Sequence, residues 1–111
     1  MMDTFTIVLP DTNVYNLHDL IVVADAAKSN PKGLDLVTEF RELLLLADDG
    51  NGPNNIAIGG SDVSDTVYSY KLTAGASKRY SIPKPAQKVY CKELYVKASA
   101  GTPTLHVEGQ S

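Results

Sequence analysis

Glu93-Leu94-Tyr95-Val96-Lys97-Ala98-Ser99-Ala100-Gly101-Thr102-Pro103-Thr104-Leu105-His106-Val107 is the stretch whose reading decides the fold. Leu94, Val96 and Ala98 alternate with Tyr95, Lys97 and Ser99. Beyond Gly101-Thr102-Pro103, Leu105 and Val107 alternate with His106 and Glu108. A period of two turns one set of side chains to a core and the other to solvent, as in a half-buried strand. The Gly-Thr-Pro segment between them reads as a turn. Residues 89–98 are expected to form one late strand, with a final strand after the turn.

The same pattern runs backward through the chain. Phe5, Ile7 and Leu9 alternate with Thr4, Thr6 and Val8, and Pro10-Asp11-Thr12-Asn13 ends that strand. Residues 1–12 are read either as this first strand or as an N-terminal arm. Residues 43–47 are continuously apolar, as expected for a strand covered on both faces. Ile56 and Ile58 make a short strand that stops at Gly59-Gly60. Tyr68, Tyr70 and Leu72 alternate with Ser69 and Lys71. A tight connection through Gly75 leads to residues 78–82, and the two runs are expected to form a hairpin. Pro83 and Pro85 then bar a central strand.

One segment has a different period. Leu17, Leu20, Ile21 and Ala24 fall at i, i+3, i+4 and i+7, one face of a helix. Asn16 is the expected N-cap, with Asp19 near the positive helix end. Ser29-Asn30-Pro31-Lys32-Gly33 ends the helix. The β-branched pair Val22-Val23 argues for a buried strand instead. The expected fold is thus mostly β, an antiparallel β-sandwich or barrel with one short helix near residues 17–28. Strand–helix alternation of the parallel-sheet kind is missing. With 111 residues, one domain spanning 1–111 is expected.

Composition narrows the function. The net charge is −3, the wrong sign for a phosphate-binding surface, so no nucleic-acid partner is expected. The longest apolar run is far below the roughly 20 residues that span a bilayer, so no membrane partner is expected either. Met1-Met2-Asp3-Thr4 lacks a basic, apolar leader pattern, which leads us to expect synthesis in the cytoplasm. Cys91 is the only cysteine and cannot form an intrachain disulfide.

Chemistry-bearing residues do not cluster. Cys91, His18 and His106 are far apart and lack zinc spacing. Asp48-Asp49-Gly50-Asn51-Gly52 fails the calcium-loop pattern, because Pro53 stands where a ligand is needed. Cys91 lies in a strand-like run, where a free thiol is usually a small core residue. Ser61 and Ser64 lack the glycine-flanked elbow of a hydrolase. Gly50-Asn51-Gly52 and Gly59-Gly60-Ser61 fit turns better than phosphate cradles. No catalytic residue, metal or cofactor is assigned.

What remains is surface. Seven of the ten basic residues lie from Lys71 onward, while the first half is comparatively acidic. Solvated strand faces explain this plainly. The functional alternative is a basic patch interleaved with Tyr80, Tyr90 and Tyr95 that docks on an acidic partner, in the manner of aromatic anchors with a charged rim. The candidate interface residues are Arg79, Tyr80, Lys84, Tyr95 and His106.

Three stretches also carry a resemblance. Ile56-Ala57-Ile58-Gly59-Gly60-Ser61-Asp62-Val63-Ser64, Tyr70-Lys71-Leu72-Thr73-Ala74-Gly75-Ala76-Ser77 and residues 93–107 together resemble small jelly-roll decoration (cement or staple) proteins of tailed bacteriophage capsids. The nearest likeness is to those of short-tailed epsilon-type Salmonella phages. It covers residues 43–107 and rests on turn and strand patterns. The resemblance implies a non-catalytic protein on the outer capsid surface of the virion, made in the host cytoplasm. It implies the major capsid protein as partner, whose subunits it bridges, and a homo-oligomer, a dimer before a trimer. The first 40 residues carry none of it, which keeps a tail or fibre adaptor open. A carbohydrate-binding β-sandwich module is the remaining alternative.

Overall fold

A computed structural model describes residues 2–81 and 88–110. In chain order the elements are β1 (Met2–Val8), β2 (Val14–Asn16), α1 (Leu17–Ala26), a 3-10 turn (Gly33–Asp35), β3 (Glu39–Phe40) and β4 (Glu42–Ala47). A second 3-10 turn (Asp49–Asn51), β5 (Ile56–Gly59), β6 (Tyr70–Leu72), β7 (Ser77–Ser81) and β8 (Val89–Tyr90) follow. A third 3-10 turn (Cys91–Glu93), β9 (Tyr95–Ala98) and β10 (Thr104–Gln110) complete the chain. One sheet has the order β1-β10-β4-β7 and the other β2-β9-β5-β6, and β3 and β8 form a two-stranded ribbon. Every pairing is antiparallel. The fold is a small, mostly β sandwich with a single α-helix among the described residues, as the alternation implies.

The core is the sum of the inward sets. Phe5 and Ile7 from β1, Leu43, Leu45 and Ala47 from β4, and Leu105 and Val107 from β10 meet Ile56, Ile58, Leu72, Val96 and Ala98 of the second sheet. Residues 2–8 pair with β10 along their whole length, so they are a strand and not a free arm. Helix α1 forms because Asn16 accepts the Asp19 N–H at 3.4 Å and Leu17 and Ile21 are buried on one face. The helix closes one side of the sandwich, packing on β1 and β2, and its end is fixed by Asp25. The Asp25 carboxylate accepts the N–H groups of Lys32 and Gly33, each at 3.0 Å.

Three expectations need correction. First, β6 and β7 are not a hairpin. β6 pairs with β5 and β7 pairs with β4, in different sheets. The connection through Gly75 crosses between sheets, with the Gly75 N–H donating to Ala47 O and the Ala47 N–H to Ala76 O. Gly75 adopts φ 79°, and a side chain there would collide with Asp49. Second, residues 89–98 are two strands broken by the turn Cys91–Glu93. The break is held by Cys91 N–H donating to Thr38 O, Leu17 N–H to Leu94 O, and the Asn16 side-chain amide to Lys92 O. It lets the chain leave the ribbon, bury Cys91 and enter the second sheet. Third, β4 is covered on one face only. Leu44 and Leu46 are half-exposed on the outer face, flanked across the ladder by Glu108 and His106.

Candidate functional site

The titratable groups that could do chemistry sit apart and are engaged in structure. Cys91 is fully buried, and burial pushes its thiol up to about 12, so almost no thiolate exists at neutral pH. His18 bonds through Nδ1 to Thr38 Oγ1 at 2.8 Å. His106, on the outer face of the first sheet, places Nε2 2.8 Å from Asp48 Oδ1. The His106 ring, with the Gly50 N–H on the other oxygen, holds the Asp48 carboxyl below its ordinary value. That carboxylate is therefore occupied in closing a turn. Its neighbour Asn51 is tied on both sides to the Thr104 backbone, at 2.8 and 3.0 Å. Among the described residues, no group of three or more His, Cys, Asp or Glu side chains is placed to hold a metal ion.

Of the five residues singled out from sequence, the four that are described do not form one patch. Arg79 points outward from β7, 3.5 Å from the Glu42 carboxylate. Tyr80, its neighbour in sequence, points inward, half-buried against the core, and burial raises its phenol pKa. His106 shares the outer face with Arg79, on another strand of that sheet. Tyr95 lies on the outer face of the other sheet, opposite the buried Val96. Lys84 lies outside the described residues, as does the proline-rich segment around it.

A cluster that the sequence only half disclosed sits at the open side of the sandwich. β6 and β7 are the edge strands there, one from each sheet, and they touch. Tyr70 of β6 and Tyr80 of β7 converge on Lys78 of β7. The Lys78 ammonium lies 5.4 Å from the Tyr70 ring centre and 5.5 Å from that of Tyr80. On the opposite, outer face of β6, Lys71 stacks over Tyr68 at 4.7 Å and donates to the Asp65 carbonyl at 3.1 Å. These distances fall inside the roughly 6 Å range of cation–π attraction. A shallow trough of about 440 Å³ continues from Lys78 and Tyr80 past Lys88, Val89, Tyr90 and Leu94. The rings hold the ammonium groups in place, so the edge presents positive charge on an apolar base at little ordering cost. Period-two alternation in Tyr-Ser-Tyr-Lys-Leu and Ser-Lys-Arg-Tyr-Ser was the available signal. It could not bring the two segments together, because they belong to different sheets.

No family model matches this chain, and no curated protein or solved structure matches it. Among the described residues, no helix is long and apolar enough to cross a membrane.

Proposed function

We propose that this chain is a capsid decoration protein, a non-catalytic module that docks on the outer surface of an assembled phage head. It bridges neighbouring major capsid subunits and stabilises the shell. The observation that carries the docking half is the tyrosine–lysine edge, where Lys78 rests between Tyr70 and Tyr80. Such an edge suits an acidic protein surface: the rings supply contact area and the ammonium groups meet carboxylates. It suits a neutral sugar less well, because lysines lie over ring faces that a sugar would stack on. The capsid half is supported by the sequence resemblance over residues 43–107. Stabilisation follows from mass action, since whatever binds only the assembled shell favours it.

The test is to add purified chain to undecorated, expanded heads and to follow co-sedimentation and head melting temperature. Wild type should bind and raise the melting temperature. Lys78→Glu should bind at least about tenfold more weakly, the effect of a charge reversal worth roughly 1.4 kcal/mol. Tyr95→Ala, on a different face, should bind like wild type. Heads that melt identically with and without the chain would dismiss the proposal.

A further inference from the structure

Strand β7 ends the first sheet. It is bonded to β4 on one side, and among the described residues no strand pairs with its other side. β1, at the far end of the same sheet, has helix α1 packed against it. β8 is bonded to β3 alone. The registers place β7 and β8 one after the other along a single run, β7 on residues 42–46 and β8 on residues 39–40. The trough of about 440 Å³ is lined by Lys78, Arg79, Tyr80 and Ser81 of β7. These consecutive side chains alternate between the two faces of the sheet: Lys78 and Tyr80 are half-buried, Arg79 and Ser81 exposed. A trough that touches all four follows the main chain of the strand, not one of its faces. It continues past Lys88 and, on β8, Tyr90.

We propose that an extended, acidic segment of the partner binds in this trough as an added strand, its main chain bonded to the free edge of β7. This rests on the docking reading above and says how that contact is made. An unpaired edge offers N–H and C=O groups at strand spacing, and an extended peptide supplies their complement. Charge selects the occupant. Lys78, Arg79 and Lys88 line the trough against one acid, Glu93, among the described residues. Arg79 lies 3.5 Å from Glu42, an exposed pair that a carboxylate of the segment can share or replace. A second copy of β7 is a poor occupant. In the antiparallel register that uses the whole strand, Arg79 faces Arg79, and in parallel register each cation meets itself. Like charges directly opposite destabilise a pair of strands. The cations that blunt the edge toward its own kind thus favour a strand that carries carboxylates. Lys78 and Arg79 are neighbours on opposite faces, so the matching segment has two acids in succession, one for each face. Lys78 is already held between the Tyr70 and Tyr80 rings, which lowers the cost of ordering it.

The probe is the end-capped peptide Thr-Val-Glu-Glu-Val-Thr, added to isotope-labelled chain without any capsid and followed by nuclear magnetic resonance. It should shift the amide signals of residues 77–81. With peptide at about ten times its Kd, the alternate β7 amides that do not bond β4 should exchange roughly tenfold more slowly. The same peptide methylated at every amide nitrogen keeps its charge and side chains but cannot pair as a strand, and it should bind at least about tenfold more weakly. A Lys-Lys counterpart should not bind. A peptide that shifts nothing, binds equally well when methylated, or protects no alternate set of β7 amides would overturn the added strand. Hydrogen exchange of the chain on expanded heads keeps this apart from the docking reading. A chain that co-sediments with heads while its β7 amides exchange as before overturns the added strand and leaves docking intact. A chain that takes up the peptide in this way but ignores heads upholds the added strand as a peptide site and dismisses the capsid reading.

Discussion

Gly109→Ala should destabilise this protein, although glycine in a strand is ordinarily a weakness. Where the backbone accepts it, replacing glycine by alanine stabilises by about 0.4–1 kcal/mol, because the unfolded chain loses freedom. Gly109 is on β10 between Asp3 and Leu43, on the buried face of the first sheet. The Phe40 ring lies directly on it. An added methyl would sit 2.5 Å from Cε1 and 2.6 Å from both Cδ1 and Cζ. Ordinary carbon contacts are roughly 3.5–4.0 Å, so the ring must retreat by about 1 Å. It has no room to do so. Phe40 is fully buried, its backbone is paired to Val89, and the next residue donates from Arg41 N–H to Gln110 O at 2.8 Å. Overpacking of this kind costs about 1–3 kcal/mol, which outweighs the entropic gain and leaves a net loss of about 1–2 kcal/mol. For a chain of this size that lowers the melting temperature by roughly 4–8 °C. Urea unfolding followed by far-ultraviolet circular dichroism measures it. A second variant separates the clash from other causes. With Phe40→Leu the obstacle is smaller, so the double variant should lose less than the sum of the two single losses, by about 1 kcal/mol. A Gly109→Ala protein as stable as wild type, or strict additivity in the double variant, would refute the reasoning.

Leu45→Ala, in the middle of β4 with no exposed surface, should cost about 2–5 kcal/mol in the same assay, while Leu34→Ala, wholly exposed, should stay within about 0.5 kcal/mol as an isolated monomer. Asp25 should make stability depend on pH. The Lys32 N–H first, then the Gly33 N–H and nearby ammonium groups, outweigh burial and hold its carboxyl below the ordinary 3.8. A depressed folded pKa means that the native state favours the ionised form. The contribution is complete above the unfolded value and is lost as pH falls through the folded one. Wild type should therefore exceed Asp25→Asn in stability near pH 6, and the gap should close below about pH 4; a gap that is constant from pH 3 to 7 counts against the assignment. Cys91 should resist aromatic disulfide reagents in the native state and react only as fast as the protein opens, as its burial and raised pKa require. Prompt stoichiometric labelling of folded protein would contradict its place in the core.

The local elements were legible in the chain because local rules make them. Alternation around Phe5 and Ile7, around Leu105 and Val107, and around Val96 and Ala98 reports which side chains are inward, and all six are buried. Asn16 and the spacing of Leu17 and Ile21 set the helix start for the same reason: cap and face involve neighbours within one or two turns. Alternation, however, carries no address. It set Tyr68, Tyr70 and Leu72 on one face of a strand without saying that this strand and residues 77–81 belong to opposite sheets, so a hairpin was expected where the chain crosses over, and Tyr80, named for the surface, turns inward. It also ran through Cys91, because a single turn bonded to Thr38 and Asn16 leaves little trace in the local pattern.

The candidate surfaces show the same division. Sequence alone determined that this chain has strands enough for two sheets, one capped helix, and basic and tyrosine residues gathered in its second half. Only the tertiary structure decided that Tyr70, Lys78 and Tyr80 meet at one edge, that Arg79 and Tyr95 lie on different sheets, and that Val22 and Val23 face solvent. The physical reason is range. A side chain's inward or outward sense is fixed by residues within a few positions of it. Its neighbours are fixed by which distant strands together bury the most apolar surface, and that choice is made only when the whole chain closes.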